Sequence, residues 1–310
     1  MRTFDLLGIK FCTDLHEMID LNYKTKLDEI KKTMIQWNSR SLTPFGRLTV
    51  IKTLLIPKIN HLILALPNPS EVVIKSFQND LYNFLWKSKI HKVNKSVIIQ
   101  DYCKGGIKMV DYKKFITALK STWIRRILQS NAKWKKLFES ELKICTDKLW
   151  IFGIDFIKNV CAKSTNNFWK DVFQSWSNVY HSRCESSEIL SEHVWYNPKI
   201  TVGGNSVFLK SLFNSGIVFI YDLLDANGNI YSFDYIKSVL KSKINFVEYA
   251  GLKKAIQERQ ALLPVQAFIK PPLPIIPATI AIFFKDKKGC KDMYRLLINN
   301  NKCKIKSISK

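Results

Sequence analysis

Fourteen lysines and arginines stand between Lys87 and Lys136, opposed only by Asp101 and Asp111. Cations this dense repel one another, and an anionic partner relieves the repulsion. Phosphate suits them: each Lys or Arg set on a phosphate releases a condensed counterion, so the attraction is sequence-tolerant and weakened by salt. The stretch supplies half of the chain's net charge of +24. Within it, Lys87, Lys89, Lys92, Lys95, Lys104 and Lys108 flank the flexible pair Gly105-Gly106, which can follow a phosphate backbone. Trp86 or Tyr102 offers a ring for stacking on a base, although Trp86, next to Phe84 and Leu85, reads better as core. Lys113, Lys120, Arg125 and Arg126 complete these candidate nucleic-acid contacts, with one of the two arginines packing against Trp123 or Tyr112 instead. A membrane surface fits less well, because no clean insertable apolar stripe backs the basic residues.

Other chemistries find little support. The five histidines, His16, His61, His91, His181 and His193, have no serine or cysteine nucleophile context. Gly203-Gly204 lacks the third glycine and the Lys-Ser/Thr of a phosphate loop. Carboxylate pairs such as Asp28-Glu29 lie on a lysine-rich helix and read as surface ion pairs. The seven cysteines are widely spaced with no CxxC pair, which suits reduced thiols in a reducing compartment. His181, Cys184 and His193 are the nearest approach to a metal set, short of the four closely paired ligands of structural zinc. No metal and no cofactor are expected.

A chain of 310 residues, 46% hydrophobic, with nineteen Phe and eight Trp, can bury a real core. At roughly 100–200 residues per domain it holds two or three domains. No apolar run approaches the roughly 18 residues of a membrane span, and the N-terminus does not read as a signal peptide, so an intracellular location is expected.

The elements that would position the cations are mostly helices. Residues 4–11 read as one short strand with Gly8 inside it, marking a bulge or a close backbone approach. Leu27, Ile30, Met34 and Trp37 set a helix over roughly 20–38. Thr43 and Pro44 start another, carrying Leu48, Ile51, Leu55, Ile59, Leu62 and Leu66, with a kink or break expected at Pro57. Ser70 caps a helix with Val73, Phe77, Leu81 and Phe84 on one face. Asp111 caps one over about 112–130, with Tyr112, Phe115, Ile116, Leu119, Trp123 and Ile127 inward and Lys113, Lys114, Lys120 and Arg125 mostly opposite. The expected fold is mainly α: a helical bundle with a short N-terminal β segment over 1–150, an α-rich module over 151–263 jointed at about 182–192, and a Pro-rich linker with a basic tail over 264–310.

The run Trp37-Asn38-Ser39-Arg40-Ser41-Leu42-Thr43-Pro44-Phe45-Gly46-Arg47-Leu48-Thr49-Val50-Ile51-Lys52 resembles the region just after the polymerase core of non-LTR (LINE-type) retrotransposon reverse transcriptases. Phe4-Asp5-Leu6-Leu7-Gly8-Ile9 resembles their palm-closing "YLGI" strand, and Phe84-Leu85-Trp86 their "FLW" element. Gly105-Gly106-Ile107-Lys108-Met109 with Asp111 resembles their "GGL" turn, so four motifs recur in order across about 130 residues. Farther on, Trp195-Tyr196-Asn197, Gly216-Ile217 with Asp222-Leu223, and Lys288 to Tyr294 match the family's C-terminal region more loosely. The resemblance implies a thumb-like bundle lying along a template–primer duplex, with Arg47, Lys52 and Lys58 on phosphates and Leu7 and Gly8 in a primer-grip-like strand. It implies RNA or DNA as partner, structured RNA or an RNA/DNA duplex above all, and an upstream polymerase domain as a second partner. The chain departs from the family in having no Asp-Asp pair to hold catalytic metals. The expectation is a fragment without polymerase activity that retains sequence-tolerant nucleic-acid binding, or else a helical interaction protein without it.

Overall fold

The computed structural model describes residues 3–87, 93–129, 132–142, 148–181, 189–190, 192–261 and 289–299. Side-chain caps set the helix starts. Asp14 accepts from the Glu17 N–H at 3.0 Å and opens α1, Leu15–Asn38, earlier than the apolar spacing suggests. Thr43 caps α2, Pro44–Val50, which has proline in its first turn. The chain then makes a π-helical turn over Ile51–Leu55 before α3, Pro57–Ala65. The cause is Pro57, which has no N–H to give and crowds the preceding turn. The Ile56 N–H reaches back to the Ile51 carbonyl at 3.0 Å, so the expected kink takes the form of a widened turn. Ser70 caps α4, Glu71–Leu85. A single turn, α5, covers Lys95–Ile98, and Asp111 accepts from the Lys114 N–H at 3.2 Å at the start of α6, Tyr112–Gln129.

Two compact units result. The first is Met1–Lys120 with Asn166–Asp171 and the chain from Leu297; the second is Ser121–Thr165 with Val172–Leu296. The division falls inside α6, well before the compositional change near residue 150. An unbroken helix carries no punctuation in sequence, so the division has no local sign.

In the first unit α1 packs on α3 and α4, and α2 on α4. Their shared core includes Ile30, Ile51, Leu55, Leu62, Ile63 and Leu81. The stretch Pro44–Ala65 is, by length and composition only, long and apolar enough to cross a membrane, contrary to the reading of the sequence. Leu48, Val50, Ile51, Leu55, Ile56, Ile59, Leu62 and Ile63 are buried in this unit's core, while Phe45 and Leu54 are exposed.

Residues 4–11 are not one bulged strand. They form a hairpin, β1 (Phe4–Leu6) antiparallel to β2 (Ile9–Phe11), with Leu6 opposite Ile9. Leu7 and Gly8 make the two-residue turn, and both have positive φ, +50° and +77°. That pattern matches the right-handed twist of the flanking strands, so a glycine second in the pair favours a turn over a bulge. Asn22 of α1 brackets β2, accepting from the Lys10 N–H at 2.9 Å and donating to its carbonyl at 2.7 Å.

The second unit contains α7 (Lys133–Leu142), α8 (Lys148–Ile151), α9 (Ile154–Lys163), α11 (Lys210–Asn214), α12 (Phe233–Ser238) and α13 (Phe246–Gln260); α10 (Asn167–His181) lies between α9 and α11 in the chain. A small hairpin, β3 (Thr201–Val202) with β4 (Asn205–Ser206), turns at Gly203-Gly204. Its core gathers on Trp195, whose indole donates to the Ile217 carbonyl at 2.7 Å. A last helix covers Gly289–Asn299. The Pro-rich stretch 264–277, most of the 182–192 joint and the tail beyond Asn299 lie outside the described residues. The protein is mainly α with short antiparallel strand pairs, as its sequence suggests.

Candidate nucleic-acid interface

The segment 94–110 of the first unit is a loop closed by its own backbone. Asn94 caps α5 by accepting from the Ser96 N–H at 2.9 Å. The Ile98 carbonyl accepts from both Ile107 and Met109, and Gln100 from Lys108. The Asp101 carbonyl accepts from Lys104 and Gly106. Buried Ile98 and Met109 plug the loop into the unit's core. Gly106 is a steric requirement, because a Cβ there would lie 2.1 Å from the Gln100 carbonyl oxygen.

What remains outside is the tip Tyr102-Cys103-Lys104, a 3-10 turn whose three residues are exposed. The Asp101 carboxylate accepts from the Tyr102 N–H at 2.7 Å and pairs with Lys108 at 3.0 Å. Lys108 lies over the Tyr102 ring, its ammonium 4.7 Å from the ring centre. The hydrogen bond from Lys108, then that from the Tyr102 N–H, and last the charge of Lys104 hold the Asp101 carboxyl below its ordinary range.

Lys52, on the π-helical turn, comes close to this loop. Burial pushes its ammonium below the usual lysine range, and the charge of Lys108 pushes the same way. The loop thus sets Lys104 and Lys108 about the Asp101 carboxylate, and Lys52 lies within electrostatic reach of Lys108. The set has excess positive charge, and a phosphate oxygen would relieve it.

The other predicted contacts fare differently. Arg47 is 2% exposed. It donates to the Asn38 side chain and to the Phe84 carbonyl, with its guanidinium over the Phe84 ring. Lys120 is 0% exposed, donates to the Leu66 carbonyl at 2.6 Å and lies 3.9 Å from the Phe168 ring centre. For both, the expected phosphate contact is replaced by an internal one. Their partners come from distant chain segments, which the helical pattern around each residue does not reveal. Lys58 is half-buried and donates to the Thr33 hydroxyl at 2.7 Å. Exposed Lys95 bonds Asn79 at 3.2 Å and lies over the Tyr82 ring, while Lys113 pairs with Glu71 at 2.9 Å. Lys87 is exposed just past α4; Lys89 and Lys92 lie outside the described residues. Arg125 is half-buried and Arg126 covers the Trp123 ring, both in the second unit. Leu7 is 91% exposed with Gly8 at the hairpin tip. Trp86 is half-buried against the first unit's core.

Asp101 is the residue that sequence reasoning misses. Its place just before Tyr102-Cys103-Lys104 is the available sign, since a short acceptor there can cap the turn. Among the described residues no three His, Cys, Asp or Glu side chains converge to hold a metal ion. No family model matches the chain.

Proposed function

We propose that the chain binds the phosphate backbone of RNA or DNA, without sequence preference, on the surface of Lys52, Lys104 and Lys108. The observation that carries this reading is the pair of exposed cations, Lys104 and Lys108, on a loop held by its own main chain, with Lys52 of the π-helical turn in electrostatic reach of Lys108. Lys104 and Lys108 both act on one carboxylate, Asp101, which leaves an excess of positive charge on the loop. The resemblance to non-LTR retrotransposon reverse transcriptases supports the same assignment. On that reading the chain is the part following the palm, a fragment with no polymerase activity of its own that holds structured RNA or a template–primer duplex.

The competing reading is a helical interaction protein whose lysines only solvate it. The pairing of Lys113 with Glu71 and of Lys95 with Asn79 favours that reading for those two side chains. Fluorescence anisotropy of the full chain against an RNA hairpin and a DNA duplex at low salt separates the two. The wild type binds both. The variant Lys52→Gln/Lys104→Gln/Lys108→Gln binds each at least about tenfold more weakly, since three phosphate-neutralising charges are gone. Equal affinity in the two proteins removes this surface from the function.

A further inference from the structure

We propose that Tyr102 is a base-stacking residue, so that the 94–110 loop selects an unpaired nucleotide, its base on the Tyr102 ring and its phosphates on Lys104, Lys108 and Lys52. This inference rests on the phosphate-binding reading above and gives that site its substrate class.

The exposure of Tyr102 is combined with a fixed backbone and adjacent cations. Tyr102 is 55% exposed on the tip of a loop whose main chain is closed by hydrogen bonds on both sides. A large apolar ring is normally withdrawn from water, as Tyr82 and Tyr112 are in the same unit. The position of Tyr102 is fixed from below. Its N–H is held by the Asp101 carboxylate, its carbonyl accepts from Gly105, and the glycine at 106 lets the chain return tightly under it. The backbone that carries the ring is therefore held in place before a ligand arrives. Of the other exposed rings, Phe4 already stacks on Phe11 at 5.1 Å.

The surroundings then choose the ligand. Lys108 covers one face of the ring, its ammonium 4.7 Å from the centre, so a base takes the opposite face with the charge close by. A nucleotide presents the matching pair: a flat π-face and, a sugar away, a phosphate. Stacking of a base on an aromatic side chain tolerates any base, because every base has such a face. In a duplex those faces are already covered by neighbouring pairs. A ring on a protruding tip therefore rewards an unpaired base and gives nothing to a paired one, whereas the lysines serve both. Asp101, the carboxylate of the set, offsets one of its positive charges and orients Lys108 and the Tyr102 main chain.

The test uses the full chain with a fluorescein-labelled oligo-U, oligo-dT and a mixed-sequence DNA duplex of equal length. Tyr102→Ala is expected to weaken both single strands about tenfold and to leave the duplex within twofold. Tyr102→Phe restores single-strand binding, because it keeps the π-face and loses only the hydroxyl. Tyr102 is exposed, and matching thermal melts show whether the fold of the variants is intact. Loss of single-strand and duplex affinity to the same degree, or no loss in the alanine variant, overturns the stacking assignment while phosphate binding stands. Failure of the wild type to bind any of the three at low salt overturns the phosphate reading and this inference with it.

Discussion

Lysine is the residue type on which the functional reading depends, and the structure sorts its lysines by partner. Lys104 and Lys108 are exposed, whereas Lys120, which the helical pattern places outward, is buried under Phe168. The sequence shows the type of a side chain and its place on a helix. It does not show the Leu66 carbonyl or Asp171, the groups that make burial of a cation tolerable. Burial pushes the Lys120 ammonium down to about 7, with the Asp171 carboxylate opposing the shift. Folded Lys120 thus releases its proton near pH 7, while the unfolded chain keeps it to the ordinary value of 10.5. Between those values the unfolded state binds more protons, so this residue makes stability rise with pH. Urea unfolding midpoints at pH 7.5 and 9 measure the effect. The wild type is expected to gain up to about 2 kcal/mol more than Lys120→Met across that interval, at about 1.4 kcal/mol per pH unit. Parallel pH dependence in the two proteins contradicts a lowered value for Lys120.

At the scale of elements, caps are legible in the sequence and turns only partly so. Thr43-Pro44, Ser70 and Asp111 stand at helix starts in the structure, because an N-cap needs only one side-chain oxygen next to its own backbone. The Leu7-Gly8 turn is hidden because its first residue is a leucine with positive φ, a place more often taken by Asn, Asp or Gly. Gly105-Gly106 reads as flexible in sequence, and the structure shows a closed loop there. Gly106→Ala must therefore push the chain away from the Gln100 carbonyl, and the displacement moves the tip that carries Tyr102 and Lys104. A stability loss of about 1–3 kcal/mol is expected by thermal unfolding, with weakened binding of single-stranded oligonucleotide. A flexible Gly-Gly segment would accept the methyl group with little change in either quantity.

At the scale of the whole molecule, the mainly helical character follows from apolar spacing, and the excess of cations follows from composition. The division into two units does not, because it lies inside the continuous helix α6. The site is half legible. Charge singles out the region 87–108, but the cluster also needs Lys52, which joins it only through the packing of the π-helical turn. Arg47 is a candidate of the same kind and goes the other way, into a hydrogen bond with the Phe84 carbonyl. If Lys104 and Lys108 neutralise phosphates, as the functional reading centrally requires, the salt dependence of binding shows it most directly. We would measure log Kobs against log salt for an RNA hairpin with the wild type and with Lys104→Gln/Lys108→Gln. A steep fall with salt is predicted for the wild type. The slope in the variant is predicted to be shallower by roughly 1.4–1.8, about 0.7–0.9 for each phosphate no longer neutralised. Identical slopes, or an affinity indifferent to salt, would contradict phosphate binding by these two lysines.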